Sequence, residues 1–152
     1  MLLCIAMQEA SDNLTLLGSS TTDYPTSPED AKLEVIPNQW NDHDYVVNLD
    51  CTEFTCLCPK TGQPDFATIE INYIPGESLI ESKALKLYLF AFRNEGIFHE
   101  FVVNKIARDL NTAMSPKYLK VQAKFMVRGG ISINPSIELG DLDLGKRLIN
   151  VD

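Results

Sequence analysis

The segment YLKVQAKFMVRGGISINPSIEL, from Tyr118 to Leu139, is the part of the sequence that decides the fold. Its first half, YLKVQAKFMVR, has the period of two that is typical of a β-strand with one face on a core. The Gly129-Gly130 pair predicts a hairpin turn, so we expect ISINPSIEL to return as an antiparallel partner strand. The residues expected on the core face of the first strand are Leu119, Val121, Ala123, Phe125 and Val127.

Two further strands are predicted upstream, at Tyr45 to Leu49 and at Phe66 to Ile74. The second alternates apolar and polar residues, and Pro75-Gly76 ends it. With the hairpin, these segments make four strands.

Two helices are predicted between the two pairs of strands. The segment ESKALKLYLFAFRNEG has apolar residues at helical spacing, and Gly96 provides a stop. A second helix closes at Ser115-Pro116. Its expected inner face is Phe98, Phe101, Val102, Ile106, Leu110 and Ala113. The order of two strands, two helices and two strands predicts an α+β fold, an antiparallel four-stranded sheet with two helices on one face.

Length and charge limit the class of protein. The 152 residues, of which 45% are hydrophobic, are enough for one domain with a core. Thirteen Lys and Arg against 21 Asp and Glu give a net charge of -8, which argues against direct binding of nucleic acid. No stretch approaches the roughly 20 apolar residues that cross a bilayer. The first residues lack the basic flank of a secretory signal, so we expect a cytoplasmic protein without a membrane partner.

The domain organisation is predicted as an arm followed by one domain. Residues 1–31 carry five acids and no base and are rich in Ser, Thr and turn formers. They indicate an acidic, irregular N-terminal arm. Regular patterning begins at Lys32, so residues 32–152 are assigned to the folded domain.

The four cysteines leave several interpretations open. Cys51, Cys56 and Cys58 form a C-x4-C-x-C pattern, which is neither the spacing of structural zinc sites nor the C-x-x-C of redox dithiols. A metal site would need Cys4, His43 or His99 as its fourth ligand, and we predict none. Cys51 and Cys56 are expected to be small buried residues, although the sequence does not exclude a role for either.

Cys58 differs from the other cysteines in its surroundings. Pro59 and Gly62 predict a tight loop, Lys60 would favour a thiolate, and Asp65 follows closely. A thiolate beside a carboxyl that can hold a proton suits attack on an electrophilic carbon, because the atom that receives the electrons must also receive a proton.

These residues carry a resemblance to a known family. LCPKTGQPDFA, then ESKALKLY, then FHE resemble the 7-cyano-7-deazaguanine reductases, the nitrile reductases of queuosine biosynthesis, in their short single-module form. The resemblance covers about Tyr45 to Gly140 and implies the tunnelling fold. It also implies reduction of the nitrile of 7-cyano-7-deazaguanine to 7-aminomethyl-7-deazaguanine with two NADPH.

The resemblance also implies the site residues. Cys58 corresponds to the nucleophile that forms a covalent thioimide, Asp65 to the proton donor, and His99 to a residue beside the reacting carbon. Glu100 corresponds to the carboxylate that binds the deazapurine, whose ring N-H and exocyclic NH2 suit such an acceptor. A further substrate contact is implied for Ile80, Glu81 and Ser82.

The cofactor site implied by the resemblance lies in ESKALKLY. No G-x-G-x-x-G motif opens a helix after a strand, so a Rossmann cradle is not predicted. Lys83 and Lys86 are instead the expected ligands of NADPH. Without the resemblance, two solvated lysines would be the simpler interpretation.

The resemblance implies a homo-oligomer, since sheets of this fold join edge to edge into multi-subunit barrels, commonly two stacked pentamers, with sites between subunits. Two alternative functions stay open. One is an amidine-forming relative on the same fold, which would lack ESKALKLY. The other is a non-catalytic purine-binding module, which would not need Cys58, Asp65 and Glu100 together.

Overall fold

The computed structural model describes residues 14–16 and 23–149. The strands are β1 (Val35–Pro37), β2 (Val47–Leu57), β3 (Pro64–Ile74), β4 (Ser78–Ile80), β5 (Tyr118–Phe125) and β6 (Ser136–Gly140). The helices are α1 (Ser82–Phe90), α2 (His99–Met114) and α3 (Leu142–Leu148), and a 3-10 helix, Ala91–Asn94, follows α1.

The main sheet has the order β2-β3-β5-β6, and all of its neighbours are antiparallel. The inner faces of β2, β3 and β5 share one hydrophobic core with α1 and α2, so both helices cover the same face of the sheet. The α+β prediction of a four-stranded antiparallel sheet with two helices on one face is therefore confirmed. The short strands β1 and β4 pair separately and were not predicted.

The inner face of α2 differs from the prediction at Phe98, Phe101 and Ala113, of which Ala113 is only half-buried. Phe98 and Phe101 are 46% and 62% exposed and pack edge to face outside the core, with ring centroids 5.8 Å apart. Phe98 precedes the helix as its N-cap residue, so it does not belong to the helical stripe. The buried stripe consists of Val102, Val103, Ile106, Ala107, Leu110 and Met114.

The strand boundaries also differ from the prediction. β2 runs to Leu57, well past the expected end at Leu49, because a bulge between Cys51 and Phe54 interrupts the alternation without ending the strand. β5 ends at Phe125, and Val127, predicted on the core face, is 64% exposed.

The predicted arm of residues 1–31 lies largely outside the described residues. Of its described part, Tyr24 packs its ring against Phe90 at 4.5 Å and Glu29 pairs with Lys105 at 3.0 Å. The boundary at residue 31 stays a prediction. No helix among the described residues is long and apolar enough to cross a membrane.

Candidate active site

A tight loop after β2 presents Cys58. The Cys58 N-H donates to the Gln63 carbonyl at 2.8 Å, and the Gly62 N-H donates to the Cys58 carbonyl at 2.9 Å. Gly62 has φ 68°, a left-handed conformation that glycine adopts without strain. The loop thus returns the chain into β3 within a few residues and holds Cys58 at the end of the sheet.

The environment of Cys58 favours the thiolate. The Thr61 hydroxyl, followed by the backbone N-H groups of Lys60 and Thr61 and the charge of Arg128, lowers the pKa of Cys58 below its usual value. Lys60 acts here through its backbone N-H, whereas the sequence had suggested its charge. By contrast, burial raises the pKa of Cys56 to about 12 and also raises that of Cys51. Of the three described cysteines, Cys58 is therefore the one whose surroundings favour the thiolate.

Asp65 is buried beside this loop, with only 3% of its surface exposed. Arg128 Nη1 donates to Asp65 Oδ1, and His99 Nε2 lies 3.1 Å from Asp65 Oδ2. The His99 ring also stacks on Phe125 with centroids 3.7 Å apart. Both Asp65 oxygens are therefore engaged by nitrogen groups, and His99 is the neighbour with which Asp65 can exchange a proton.

The start of α2 is fastened to the same end of β2. The Leu57 N-H donates to the Glu95 carbonyl at 2.8 Å, and the Ile97 N-H donates to the Leu57 carbonyl at 3.0 Å. Between them, Gly96 lies so close to Pro59 that an added Cβ would be 3.3 Å from its Cα. This connection brings His99 to Asp65 and leaves Glu100 exposed in the first turn of α2.

Arg128 is a site residue that sequence reasoning missed. It bridges the loop and the strand, since Nη2 donates to Gln63 Oε1 at 2.6 Å while Nη1 contacts Asp65. The antiparallel register that pairs Ala67 with Phe125 brings Arg128 beside these residues. In the sequence, the signal would have been the basic residue directly before Gly129-Gly130. It can be interpreted only once the register of β3 and β5 is known.

Two of the other predicted site residues line a separate cavity of about 500 Å³ between β2 and α1. Ser82 and Lys86 line it, whereas Cys58, Asp65, His99 and Glu100 do not. Ile80 and Glu81 are buried. The Glu81 carboxylate caps α1 by accepting the N-H groups of Lys83 and Ala84, both at 2.8 Å. Ser82 is thus the exposed member of the predicted substrate segment.

Lys83 has a partner in the N-terminal segment. Its ammonium donates to the Leu16 carbonyl. The carboxylate of Glu34 holds the same segment by accepting the N-H groups of Thr15 at 3.1 Å and Leu16 at 3.3 Å. Lys83 therefore faces residues 14–16, while Lys86 faces the cavity.

The free thiols do not converge on a metal site in the described part of the chain. Cys51, Cys56 and Cys58 are all unbridged. No three His, Cys, Asp or Glu side chains among residues 14–16 and 23–149 are grouped so that they could hold a metal ion.

Comparison with known proteins identifies the family. Residues 64–143 match the family described as QueF-like protein. The chain is 51% identical over 136 residues to a Streptococcus thermophilus protein named NADPH-dependent 7-cyano-7-deazaguanine reductase, covering 90% of this chain and 83% of that protein. A Bacillus subtilis protein of the same name is 54% identical over 129 residues, which cover 85% and 78% of the two chains. The chain belongs to the QueF-like family.

A solved structure supports the fold of this QueF-like chain. The apo crystal structure titled archaeosine synthase QueF-Like superposes with a TM-score of 0.59, covering 62% of this chain and 93% of that one. At 24% identity this likeness bears on the fold alone. The expected tunnelling-fold domain thus agrees with both the sheet order and this neighbour.

Proposed function

We propose that this protein is an NADPH-dependent 7-cyano-7-deazaguanine reductase, which reduces the nitrile to the aminomethyl group in queuosine biosynthesis. The observation that carries the proposal is the Cys58 thiol, whose pKa is lowered in part by the charge of Arg128, the residue that also contacts the buried Asp65 of the Asp65 and His99 pair. The names of relatives at 51% and 54% identity support the same activity and cofactor.

Cys58 and Asp65 divide the covalent step. The Cys58 thiolate attacks the nitrile carbon, a C-S bond forms, and one π-electron pair moves to nitrogen, which takes a proton to give a neutral thioimide. The proton comes from Asp65, which His99 recharges across their 3.1 Å contact. Arg128 fixes the other Asp65 oxygen, so one orientation of the carboxyl is maintained.

NADPH, held by Lys83 and Lys86, would supply the two hydrides that the reduction needs. Cys58 would hold the carbon through the C-S bond while that carbon becomes tetrahedral. Cys58 then departs as a thiolate, which the bonds from Thr61 stabilise, and the C=N bond forms as the C-S bond breaks. His99, beside Asp65, would protonate the nitrogen as it becomes an amine.

Substrate and cofactor recognition are assigned to the exposed polar residues. Glu100 would accept the ring N-H and the exocyclic NH2 of the base, and Ser82 is the exposed residue of the second substrate segment. The cavity fits a phosphate-bearing cofactor, because Lys86 lines it and makes no salt bridge with a described residue. Lys83 would contact the cofactor from the side of residues 14–16.

The separation of these groups supports a homo-oligomer. Ser82 and Lys86 line a cavity that excludes Cys58, and β2 and β6 both have an open edge in the sheet order. We therefore propose that subunits join at these edges and complete the site, with two stacked pentamers as the arrangement. The free thiols agree with a reducing compartment, and we propose the cytoplasm.

NADPH oxidation with 7-cyano-7-deazaguanine tests the proposal. Two NADPH should be oxidised per aminomethyl product, and Cys58→Ala should abolish turnover while Cys51→Ala retains it within about tenfold, or about 1.4 kcal/mol. Turnover by the Cys58→Ala variant would refute the mechanism. Transfer of ammonia to the nitrile without NADPH oxidation would favour an amidine-forming enzyme.

A further inference from the structure

One face of α1 and the 3-10 helix forms a wall of the cavity between β2 and α1. The lining positions follow each other at helical spacing, so they share one side of the helix. These residues are Ser82, Leu85, Lys86, Leu89, Phe90 and Arg93. The wall is therefore apolar along its centre and has two cations, Lys86 and Arg93, two helical turns apart.

The Arg93 guanidinium stacks on an aromatic ring. The guanidinium carbon lies 3.5 Å from the centroid of the Phe90 ring, and Tyr24 packs against the same ring at 4.5 Å. Stacking fixes a guanidinium while its N-H groups can still donate to an anion. Arg93 is exposed and makes no hydrogen bond or salt bridge with residues 14–16 or 23–149.

Two other basic residues near the site, Lys83 and Arg128, already have partners. Lys83 donates to the Leu16 carbonyl, and Arg128 donates to Asp65 and Gln63. In contrast, Lys86 and Arg93 are exposed cations on a cavity wall. Such a pair fits a ligand that carries two separate anionic groups.

The acidic residues of the cavity do not cancel this charge. Asp50 follows Leu49 and precedes Cys51, both of which pack on the core, so strand alternation turns the Asp50 side chain to the opposite face of the sheet. The other acidic residue of the cavity is Glu53, which lies in the bulge of β2, across from the helix wall. The helix wall therefore keeps its positive character.

The order of residues along the wall matches an extended dinucleotide. From Ser82 to Arg93 the axis is about 18 Å long, at about 1.5 Å per residue in α1 and 2.0 Å in the 3-10 helix. If Ser82 marks the substrate end, as proposed above, the nicotinamide would lie there. Lys86 would then be at the height of the pyrophosphate and Arg93 at that of the adenosine.

We infer that Arg93, held by Phe90, binds the 2'-phosphate of the NADPH adenosine and makes the enzyme select NADPH over NADH. This inference rests on the proposed function. The 2'-phosphate is the group that distinguishes the two nucleotides, and the planar fork of arginine can bind two of its oxygens at once.

Direct nucleotide binding tests the inference without turnover. Calorimetry would measure Kd for NADP+, NAD+ and adenosine 2',5'-bisphosphate with the wild type, Arg93→Gln and Arg93→Lys. Arg93→Gln should weaken the binding of NADP+ and of the bisphosphate by about tenfold or more, because a charge-assisted contact is lost. The Kd for NAD+ should stay within about twofold of the wild-type value. Arg93→Lys should recover part of the loss. Arg108→Gln, an exposed arginine of α2 outside the cavity, is the control and should change nothing.

Several results would overturn the inference. They are equal losses for NADP+ and NAD+, unchanged NADP+ affinity in Arg93→Gln, or a wild type that binds both nucleotides equally. If Arg93→Gln does not fold, the ratio of the two Kd values in Arg93→Lys decides. Formation of the Cys58 adduct without cofactor should be normal in both variants, so its loss in the wild type would contradict the proposed function and leave the nucleotide result separate.

Discussion

Replacing Glu34 by Gln should destabilise the protein and release the segment that faces Lys83. Glu34 is 6% exposed, and burial alone would raise its pKa, but hydrogen bonds from Lys32 and Thr15 outweigh this and lower the pKa from 4.5 to about 2. A shift of that size corresponds to about 3 kcal/mol at 1.36 kcal/mol per unit. Because the Lys32 side chain is 60% exposed, screening reduces this, and we expect about 2 kcal/mol.

The stability difference between the wild type and Glu34→Gln should depend on pH, and this dependence identifies the Glu34 carboxylate as its cause. The folded pKa is depressed, so the stabilisation is complete above pH 4.5 and is lost as the pH falls through about 2. Urea unfolding at pH 7 should give the full difference between wild type and Glu34→Gln, and at pH 3 roughly half of it should remain. At pH 7 the variant should melt about 4 to 8 °C lower.

Glu29→Gln is the matched control. Glu29 also pairs with a lysine, Lys105 at 3.0 Å, but its side chain is 66% exposed, so its loss should cost less than about 1 kcal/mol. Equal stabilities of the Glu34 and Glu29 variants at pH 7 would show that the buried Glu34 carboxylate does not stabilise the fold more than an exposed one. A difference between wild type and Glu34→Gln that is the same at pH 3 and pH 7 would show that the carboxylate is not its cause.

Three further predictions follow from single positions. Glu100→Gln puts a donor against the donors of the base, so substrate affinity should fall at least tenfold in calorimetry while NADP+ affinity is kept; equal substrate binding would place the base elsewhere. Gly140→Ala should lower stability by about 2 kcal/mol or more in urea unfolding, because φ is 86° and an added Cβ overlaps a backbone carbonyl. Gly130→Ala, with φ 79° but open space, should cost less, and the opposite order would contradict the structure. Iodoacetamide at pH 7 should label Cys58 before Cys56, whose pKa is raised to about 12, and the reverse order in peptide mapping would remove Cys58 as the activated thiol.

The sequence predicted the sheet and the two helices because their periodicity is local. Alternation in β3 and β5 and the helical spacing in α1 each depend on neighbours a few residues apart. The predicted end of β2 was wrong because the bulge in β2 breaks the alternation. The predicted burial of Phe101 was wrong because apolarity alone does not distinguish an exposed aromatic residue from a core residue.

Spacing along the chain pointed only to site residues that are close in sequence, whereas His99 and Glu100 came from the resemblance. Cys58 and Asp65 stand on either side of one loop, whereas the Arg128 contact with Asp65 spans 63 residues and depends on the register of β3 and β5. The bond from Lys83 to Leu16 spans 67 residues, and no periodicity signals it. Such contacts follow from the tertiary packing.

Peptide mapping of the protein after incubation with 7-cyano-7-deazaguanine and no NADPH tests whether Cys58 is the nucleophile. The peptide containing Cys58 should gain the full mass of the substrate, with a new thioimide absorbance. Asp65→Asn should form the same adduct about 10²-fold more slowly or worse, because it cannot give up the proton. Substrate found on Cys51 or Cys56, or no adduct with a protein that still oxidises NADPH, would contradict the assignment of Cys58 as the nucleophile.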